Sequence, residues 1–414
     1  MELSNAGCDV SAVITKGHPI TKISTIRRTF PYRALRPLDS LRAAIDATSP
    51  HFIVPCCDRS VQHLHELHGR SRGRGDSGSK IAAVIERSLG APESFSTVST
   101  RYDLLRVAQE EGLRVPDTSL IESVDDFKEW GAHQPFPWVL KSDGTWGGRG
   151  VRVAHTFQEA EEFFLAIKRP PGFGRAIKRL CVNRDPFFVQ PWWEGYTPPV
   201  IAQSYIHGHP ANCGVVCWEG SVLAGIGVEV VGADGETGPA SIVRVVDNPE
   251  MMLCAERIAR RLRLSGFFGL DFMIESGSGA PYLIEMNPRC TPVCHLRLGK
   301  GRDMIGELWA KLLGQPYTET PSITENDMIA YFPQAWNGNP DLLNASFQDI
   351  PRGEPALIQD LLRSWPERSF LFRATNYLHN RKTDFSAEEQ RSSKPMGPVV
   401  DVEGRSPGRS NFHT

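Results

Sequence analysis

Gly266-Phe-Phe-Gly-Leu-Asp-Phe-Met-Ile-Glu275, a turn over 276–280, and Pro281-Tyr-Leu-Ile-Glu-Met-Asn-Pro-Arg289 form the stretch on which the fold turns. Both flanks are apolar runs of strand type, and the Gly/Ser-rich turn between them predicts a hairpin. With the turn centred on Ser278, Asp271 lies directly opposite Glu285. Strand side chains alternate, so Glu285 and Asn287 share one face and Asp271 joins them. Two carboxylates and a carboxamide on an otherwise apolar sheet are costly unless something compensates their charge. Hard oxygen donors of this kind suit Mg²⁺, which commonly also takes nucleotide phosphate oxygens. Arg289, two residues beyond Asn287, aims a guanidinium at the same place. A surface hairpin with a merely solvated polar face is the plain alternative.

The second signal lies upstream, in Trp138-Val-Leu-Lys-Ser-Asp-Gly-Thr-Trp-Gly-Gly-Arg-Gly-Val-Arg-Val153. An apolar strand delivers Lys141, a glycine-rich loop follows, and alternation resumes at Val151 and Val153. Glycines let backbone N–H groups approach phosphate oxygens, because no Cβ intervenes. A lysine at the strand end adds a point charge for the same phosphates. A dinucleotide fingerprint would need a helix directly after the loop. A strand follows instead, which makes this a hairpin lid. Taken alone, the stretch reads equally well as a flexible hairpin with a surface lysine.

Together, in this order and about 130 residues apart, the two motifs resemble the ATP-grasp superfamily. The resemblance covers roughly residues 95–300. It implies an α/β (α+β) ATP-grasp fold with an N-terminal parallel-sheet domain over 1–95, which looks truncated. The two-part ATP-grasp domain would span 96–315 with its lid at about 136–200, followed by a C-terminal segment, 316–380. The activity it implies is an ATP- and Mg²⁺-dependent ligase (Mn²⁺ being the substitute metal). Such an enzyme activates a carboxylate as an acyl phosphate for attack by an amine or another nucleophile. A kinase or carboxylase-type enzyme on the same fold, or a nucleotide-binding relative without turnover, are the alternatives.

The resemblance also assigns residues. Lys141 matches the lid-base lysine that contacts the α- and β-phosphates, and Gly147 and Gly148 lie in the loop that closes over them. Gln203 lies on the hinge strand that binds adenine, with the backbone near Tyr205 and Ile206 reading the base edge. Met273 matches the apolar residue under the ring, and Asp271, Glu285 and Asn287 match the metal ligands. Arg289 matches the arginine that stabilises charge on the transferred phosphoryl group, a role consistent with chemistry that depends on positioning and cations. The chain also departs from the pattern. Arg101 stands where a second phosphate-contacting lysine is usual. No clear acid follows the hinge for the ribose, leaving His209 and Asn212 unranked. The Trp192-Trp193 pair reads as core before substrate contact.

Outside the motifs, residues 8–15 and 51–55 read as strands, and 40–48, 59–68, 100–111, 157–168, 250–262 and 304–313 as helices. The stretch 69–79 is rich in Gly and Arg and reads as a loop; it lacks the Gly-Lys-Ser/Thr of a phosphate loop. His63, His65 and His68 read as a solvated helix surface. Cys290, Cys294 and His295, like Cys213 and Cys217, lack the spacing of a zinc knuckle, although oxidation of Cys290 beside Arg289 could inhibit. From 381 onward the chain is polar and expected to be disordered.

Composition narrows the partners. A net charge of −2 over 414 residues argues against a nucleic-acid groove or an anionic membrane surface. Nine cysteines without a secretory pattern predict reduced thiols and a cytoplasmic setting. The partners that the resemblance implies are small-molecule carboxylate and amine substrates, with a homodimer as the assembly kept open.

Overall fold

The computed structural model describes residues 1–73, 75–142, 150–168, 199–233 and 238–363. Gly147, Gly148, Trp192, Trp193 and the expected tail from 381 lie outside them. The N-terminal part opens with the single-turn helix α1 (Glu2–Asn5). A two-stranded parallel pair follows, β1 (Ser11–Ile14) with β2 (Arg28–Pro31), in the register Ala12 to Thr29. Helices α2 (Pro37–Thr48), α3 (Asp58–Ser71) and α4 (Gly75–Leu89) pack beside it. Their apolar stripes meet in one cluster of Leu41, Leu64, Leu67, Ile81, Ile85 and Leu89.

Two expectations fail in this part. Of the stretch 69–79, residues 69–71 end α3 and residues 75–79 begin α4, so most of it is helix and not a loop. Glycine costs about 1 kcal/mol per interior helix position, less than the 1.5–3 kcal/mol roughly gained on burying each large apolar side chain. The Ile81–Ile85–Leu89 stripe therefore pulls the helix back through Gly78 and Gly75. Residues 51–55 make no strand. Ile53 N–H donates to Ser88 Oγ at 2.9 Å, and Pro55 O accepts from Cys290 N–H at 3.0 Å. The segment is thus an extended tie between the N-terminal helices and the chain just beyond Arg289.

Two short helices, α5 (Phe95–Ser99) and α6 (Arg101–Glu110), lead into the next part; Gly112, at φ +70°, reverses the chain after α6. A small antiparallel sheet then takes the order β3-β6-β4-β5. Its strands are β3 (Thr118–Ile121), β4 (Trp138–Ser142), β5 (Val151–Ala154) and β6 (Val200–Ser204). Helices α7 (Val124–Gly131) and α8 (Phe157–Lys168) cover one face, burying Phe127, Trp138, Leu140 and Phe164. β4 and β5 form the expected hairpin, with Lys141 opposite Val151.

The third part is a seven-stranded sheet in the order β11-β10-β7-β8-β9-β12-β13. It is built from β7 (Gly208–Trp218), β8 (Ser221–Ala233), β9 (Ala240–Val246), β10 (Gly266–Glu275) and β11 (Pro281–Asn287). β12 (Met328–Tyr331) and β13 (Phe347–Asp349) come from the segment beyond residue 315 and extend it. Helix α9 (Pro249–Leu262) lies with α6 on one face, where Met251, Ala255 and Ile258 meet Phe268, Leu270 and Phe272. Helix α10 (Met304–Leu313) covers part of the other, against Val216, Ile226 and Phe267. Helices α11 (Pro340–Ala345) and α12 (Pro355–Leu362) close the described chain. Among the described residues no helix is long and apolar enough to cross a membrane.

Candidate active site

The hairpin β10–β11 pairs Asp271 with Glu285 and Gly269 with Asn287, as read from the sequence, while a bulge between Asp271 and Phe272 shifts the pairing nearer the turn by one residue. Phe272 and Ile274 point into the core under α6 and α9, so alternation turns Asp271 and Met273 to the opposite face. On its other edge β10 pairs with β7, which sets Asn212 beside Asp271. Asn212 Nδ2 donates to Asp271 Oδ1, and Asn287 Nδ2 donates to Asp271 Oδ2 at 2.9 Å. Burial and the nearby Glu285 charge push the Asp271 carboxyl up to about 6, although both carboxamides and Arg289 oppose the shift. A carboxylate so placed is one that a bound cation would relieve.

Glu285 behaves oppositely. Burial alone would raise its pKa, but Arg101, Lys141 and Arg289 together hold it below the usual carboxylate range. Arg101, the first residue of α6, donates from Nη2 to Glu285 Oε1 at 2.6 Å and from Nη1 to Ser142 O at 3.1 Å. It thereby joins the lid strand to the acidic hairpin. Lys141 is buried, with 4% of its surface exposed, and its Nζ donates to Ile284 O at 3.3 Å. A surface lysine on a flexible hairpin is excluded by that burial.

Arg289 completes the group. Its Nη2 donates to Asn287 Oδ1 at 3.0 Å, and its Nε donates to Asp58 Oδ1 at 3.1 Å. Asp58 begins α3, so the N-terminal part holds the guanidinium directly. Thr291, just beyond, lies against Gly269; a Cβ at that glycine would overlap the threonine methyl. Glycine in β10 therefore lets the segment after Arg289 lie flat on the sheet.

The structure thus brings together Arg101, Lys141, Asp271, Glu285, Asn287 and Arg289. Met273 shares the face of Asp271 two residues along β10, between Pro210 and Tyr282. Tyr205 and Ile206 form the link from β6 to β7, where Tyr205 packs edge-on against His207. Gln203 is buried inside the small sheet and donates to Thr118 Oγ1 at 3.1 Å. Its side chain is committed there, and its backbone lies within the sheet between Thr118 of β3 and Val139 of β4. His209 lies 3.5 Å from Glu229. The histidine cluster is not a solvated face: His68 is buried against Glu86 at 2.7 Å, and His65 stacks on Phe95.

Two residues escaped the sequence reading. Asn212 was considered only for a ribose, although the β7 register gives it to Asp271. Asp58 has no local signal, since 231 residues separate it from Arg289.

The donor set suits a hard divalent cation: two carboxylates and two carboxamides converge, and one carboxylate carries unrelieved charge. Asp271, Glu285 and Asn287 would hold the ion. Around it, Arg101, Lys141 and Arg289 present cations from three separate elements, an arrangement matched to a polyphosphate.

Comparison with known proteins agrees with this geometry. Residues 98–293 match the family model of the ATP-grasp domain. The chain is similar to a carbamoyl-phosphate synthase of Methanobrevibacter smithii, at 26% identity over 187 residues, which is 44% of this chain and 42% of that protein. The chain thus matches less than half the length of that relative. Among solved structures it resembles the biotin carboxylase domain of Hydrogenobacter thermophilus 2-oxoglutarate carboxylase, solved with MgADP and bicarbonate. That match has a TM-score of 0.53 at 13% identity, covering 76% of this chain and 66% of the other. It also resembles an L-amino acid ligase from Bacillus licheniformis, with a TM-score of 0.52 at 14% identity, covering 75% of this chain and 71% of that one. At such identities the structural likenesses speak for the fold.

Proposed function

We propose that residues 98–293, which match the family model of the ATP-grasp domain, work with ATP and Mg²⁺ in a ligase that activates a carboxylate as its acyl phosphate for capture by an amine. The observation that carries the reading is the convergence of Lys141, Arg101 and Arg289 on the Asp271–Glu285–Asn287 face. Lys141 and Arg101 bind and orient the phosphates from the lid side. When bound, the metal neutralises phosphate charge. Met273 and the 205–206 link offer an apolar floor and a backbone edge for adenine. Arg289 is placed to meet negative charge developing between the terminal phosphate and a substrate carboxylate, where a preorganised guanidinium is most effective.

The test is ADP release from the purified protein with MgATP against mixed pools of small carboxylates and amines, with product mass determined. Release that needs one carboxylate and one amine, with a product of their combined mass less water, supports the proposal. Release driven by bicarbonate alone would assign a carboxylase instead. No release with any pool, despite tight MgATP binding, would make the chain a nucleotide-binding relative.

A further inference from the structure

A cavity of about 270 Å³ lies between α1, α10 and the chain at 315–320. Its lining includes Glu2, His295, Arg297, Asp303, Ile305 and Trp309. Of the four charged side chains there, three have hydrogen-bond partners. His295 pairs with Asp349 at 2.8 Å, an interaction that outweighs the effect of burial and raises its pKa. Asp303 caps α10 at Gly306 N–H (2.9 Å) and accepts from Tyr317 at 3.1 Å and Thr320 at 3.0 Å. Glu2 accepts only from Asn5 beside it, at 3.1 Å, among the described residues. Arg297 is different. Its Nε is buried with no hydrogen-bond partner, and no ion pair neutralises its guanidinium among the described residues.

A half-buried guanidinium whose Nε makes no hydrogen bond, and which has no ion-pair partner among the described residues, leaves part of its desolvation uncompensated. It calls for an anion, and the planar fork favours a carboxylate held by two bonds. Beside it, Ile305 and Trp309 offer an apolar wall, and Glu2 an acceptor with a free oxygen. Asp303 already accepts three hydrogen bonds, so Glu2 is the less committed carboxylate. We infer that this cavity binds a small apolar α-amino acid, with its carboxylate on Arg297, its ammonium on Glu2 and its side chain against Ile305 and Trp309. The volume suits a metabolite of that size rather than a nucleotide. The inference stands on this cavity and not on the nucleotide reading.

The experiment is calorimetric titration of the full chain without ATP, using leucine, leucinamide, 4-methylpentanoate and inorganic phosphate. Leucine should bind saturably. Leucinamide lacks the carboxylate and 4-methylpentanoate the amine, and each should bind roughly tenfold more weakly or worse. Arg297→Gln should lower leucine affinity by more than about tenfold, with Arg297→Lys intermediate. If Arg297→Gln fails to fold, Glu2→Gln provides the reading: it should abolish the preference for leucine over 4-methylpentanoate. The inference is overturned by no saturable leucine binding up to about 10 mM. It is equally overturned by unchanged affinity in a folded Arg297→Gln, or by phosphate that binds and is not displaced by leucine. None of these outcomes touches MgATP binding, so failure here is distinct from failure of the ligase proposal.

Discussion

Arg101 Nη2 lies 2.6 Å from Glu285 Oε1 although 184 residues separate them in the chain. The same guanidinium holds Ser142 O at the end of the lid strand. A single arginine therefore couples the start of α6, the lid and the acidic hairpin, and removing either partner leaves a largely buried charge uncompensated. Arg101→Ala is expected to weaken MgATP binding by one to two orders of magnitude, a loss of about 1.5–3 kcal/mol for a charge-assisted contact. It should also lower the melting temperature, because Glu285 keeps its burial and loses its closest cation. Unchanged affinity in calorimetry would remove Arg101 from the phosphate site.

Lys141→Met keeps the volume of a buried side chain while deleting its charge. ATP affinity should fall roughly tenfold to over a hundredfold, with a smaller loss of thermal stability than in Arg101→Ala, since Glu285 keeps Arg101 and Arg289. The methionine variant is the informative one, since alanine would also open a cavity at a residue 4% exposed. Equal affinity for wild type and variant would contradict the role given to Lys141.

Asp58→Asn separates positioning from catalysis at Arg289. Asp58 holds Nε at 3.1 Å but sits on the N-terminal helix, outside the metal and phosphate group. Its loss should reduce turnover with near-normal MgATP affinity, because a misplaced guanidinium is felt mainly where charge develops. Arg289→Ala should cut turnover by orders of magnitude, and lysine should restore only part of it. Parallel losses in melting temperature, nucleotide affinity and rate would show a structural ion pair instead.

The pair His295–Asp349 gives a pH signature of stability. His295 has a folded-state pKa raised above its unfolded value, so its contribution is complete below the unfolded pKa, about 6.5, and is lost as pH rises through the folded value. Wild type should therefore lose stability relative to Asp349→Asn as pH rises above about 6.5, read as a shrinking difference in melting temperature. A constant difference across that range would show that His295 does not carry the charge.

Much of the site was legible in the sequence for a specific reason. Counting outward from a turn at Ser278 puts Asp271 opposite Glu285, and the structure keeps that pair, although a bulge beside it moves the pairing nearer the turn by one residue, to Phe272 with Leu283. The helices at 304–313 and 157–168 were equally clear from their apolar spacing. What stayed hidden depended on distant partners. Nothing near Asp58 announces Arg289, and the sheet order that gives Asn212 to Asp271 requires β7 to insert beside β10. The segment 69–79 was misread because glycine propensity was weighed locally, whereas the Ile81–Ile85–Leu89 stripe decides the helix through burial. Residues 51–55 were apolar enough for a strand, but their partners are a serine hydroxyl and one backbone amide rather than a ladder.

The claim that Asp271, Glu285 and Asn287 hold a nucleotide-bound divalent cation is tested most directly by paramagnetic titration of Mn²⁺ with and without ADP. The measurement is made on wild type, Asp271→Asn and Glu285→Gln, each shown to be folded by its melting curve. In wild type, ADP should tighten Mn²⁺ binding, and each variant should lose at least about tenfold in that ADP-dependent affinity. Asp271→Asn should remain as stable as wild type or more so without ligand, since it removes a buried carboxylate that Glu285 disfavours. Wild-type ADP-dependent Mn²⁺ affinity in both variants would contradict the account and place the metal elsewhere.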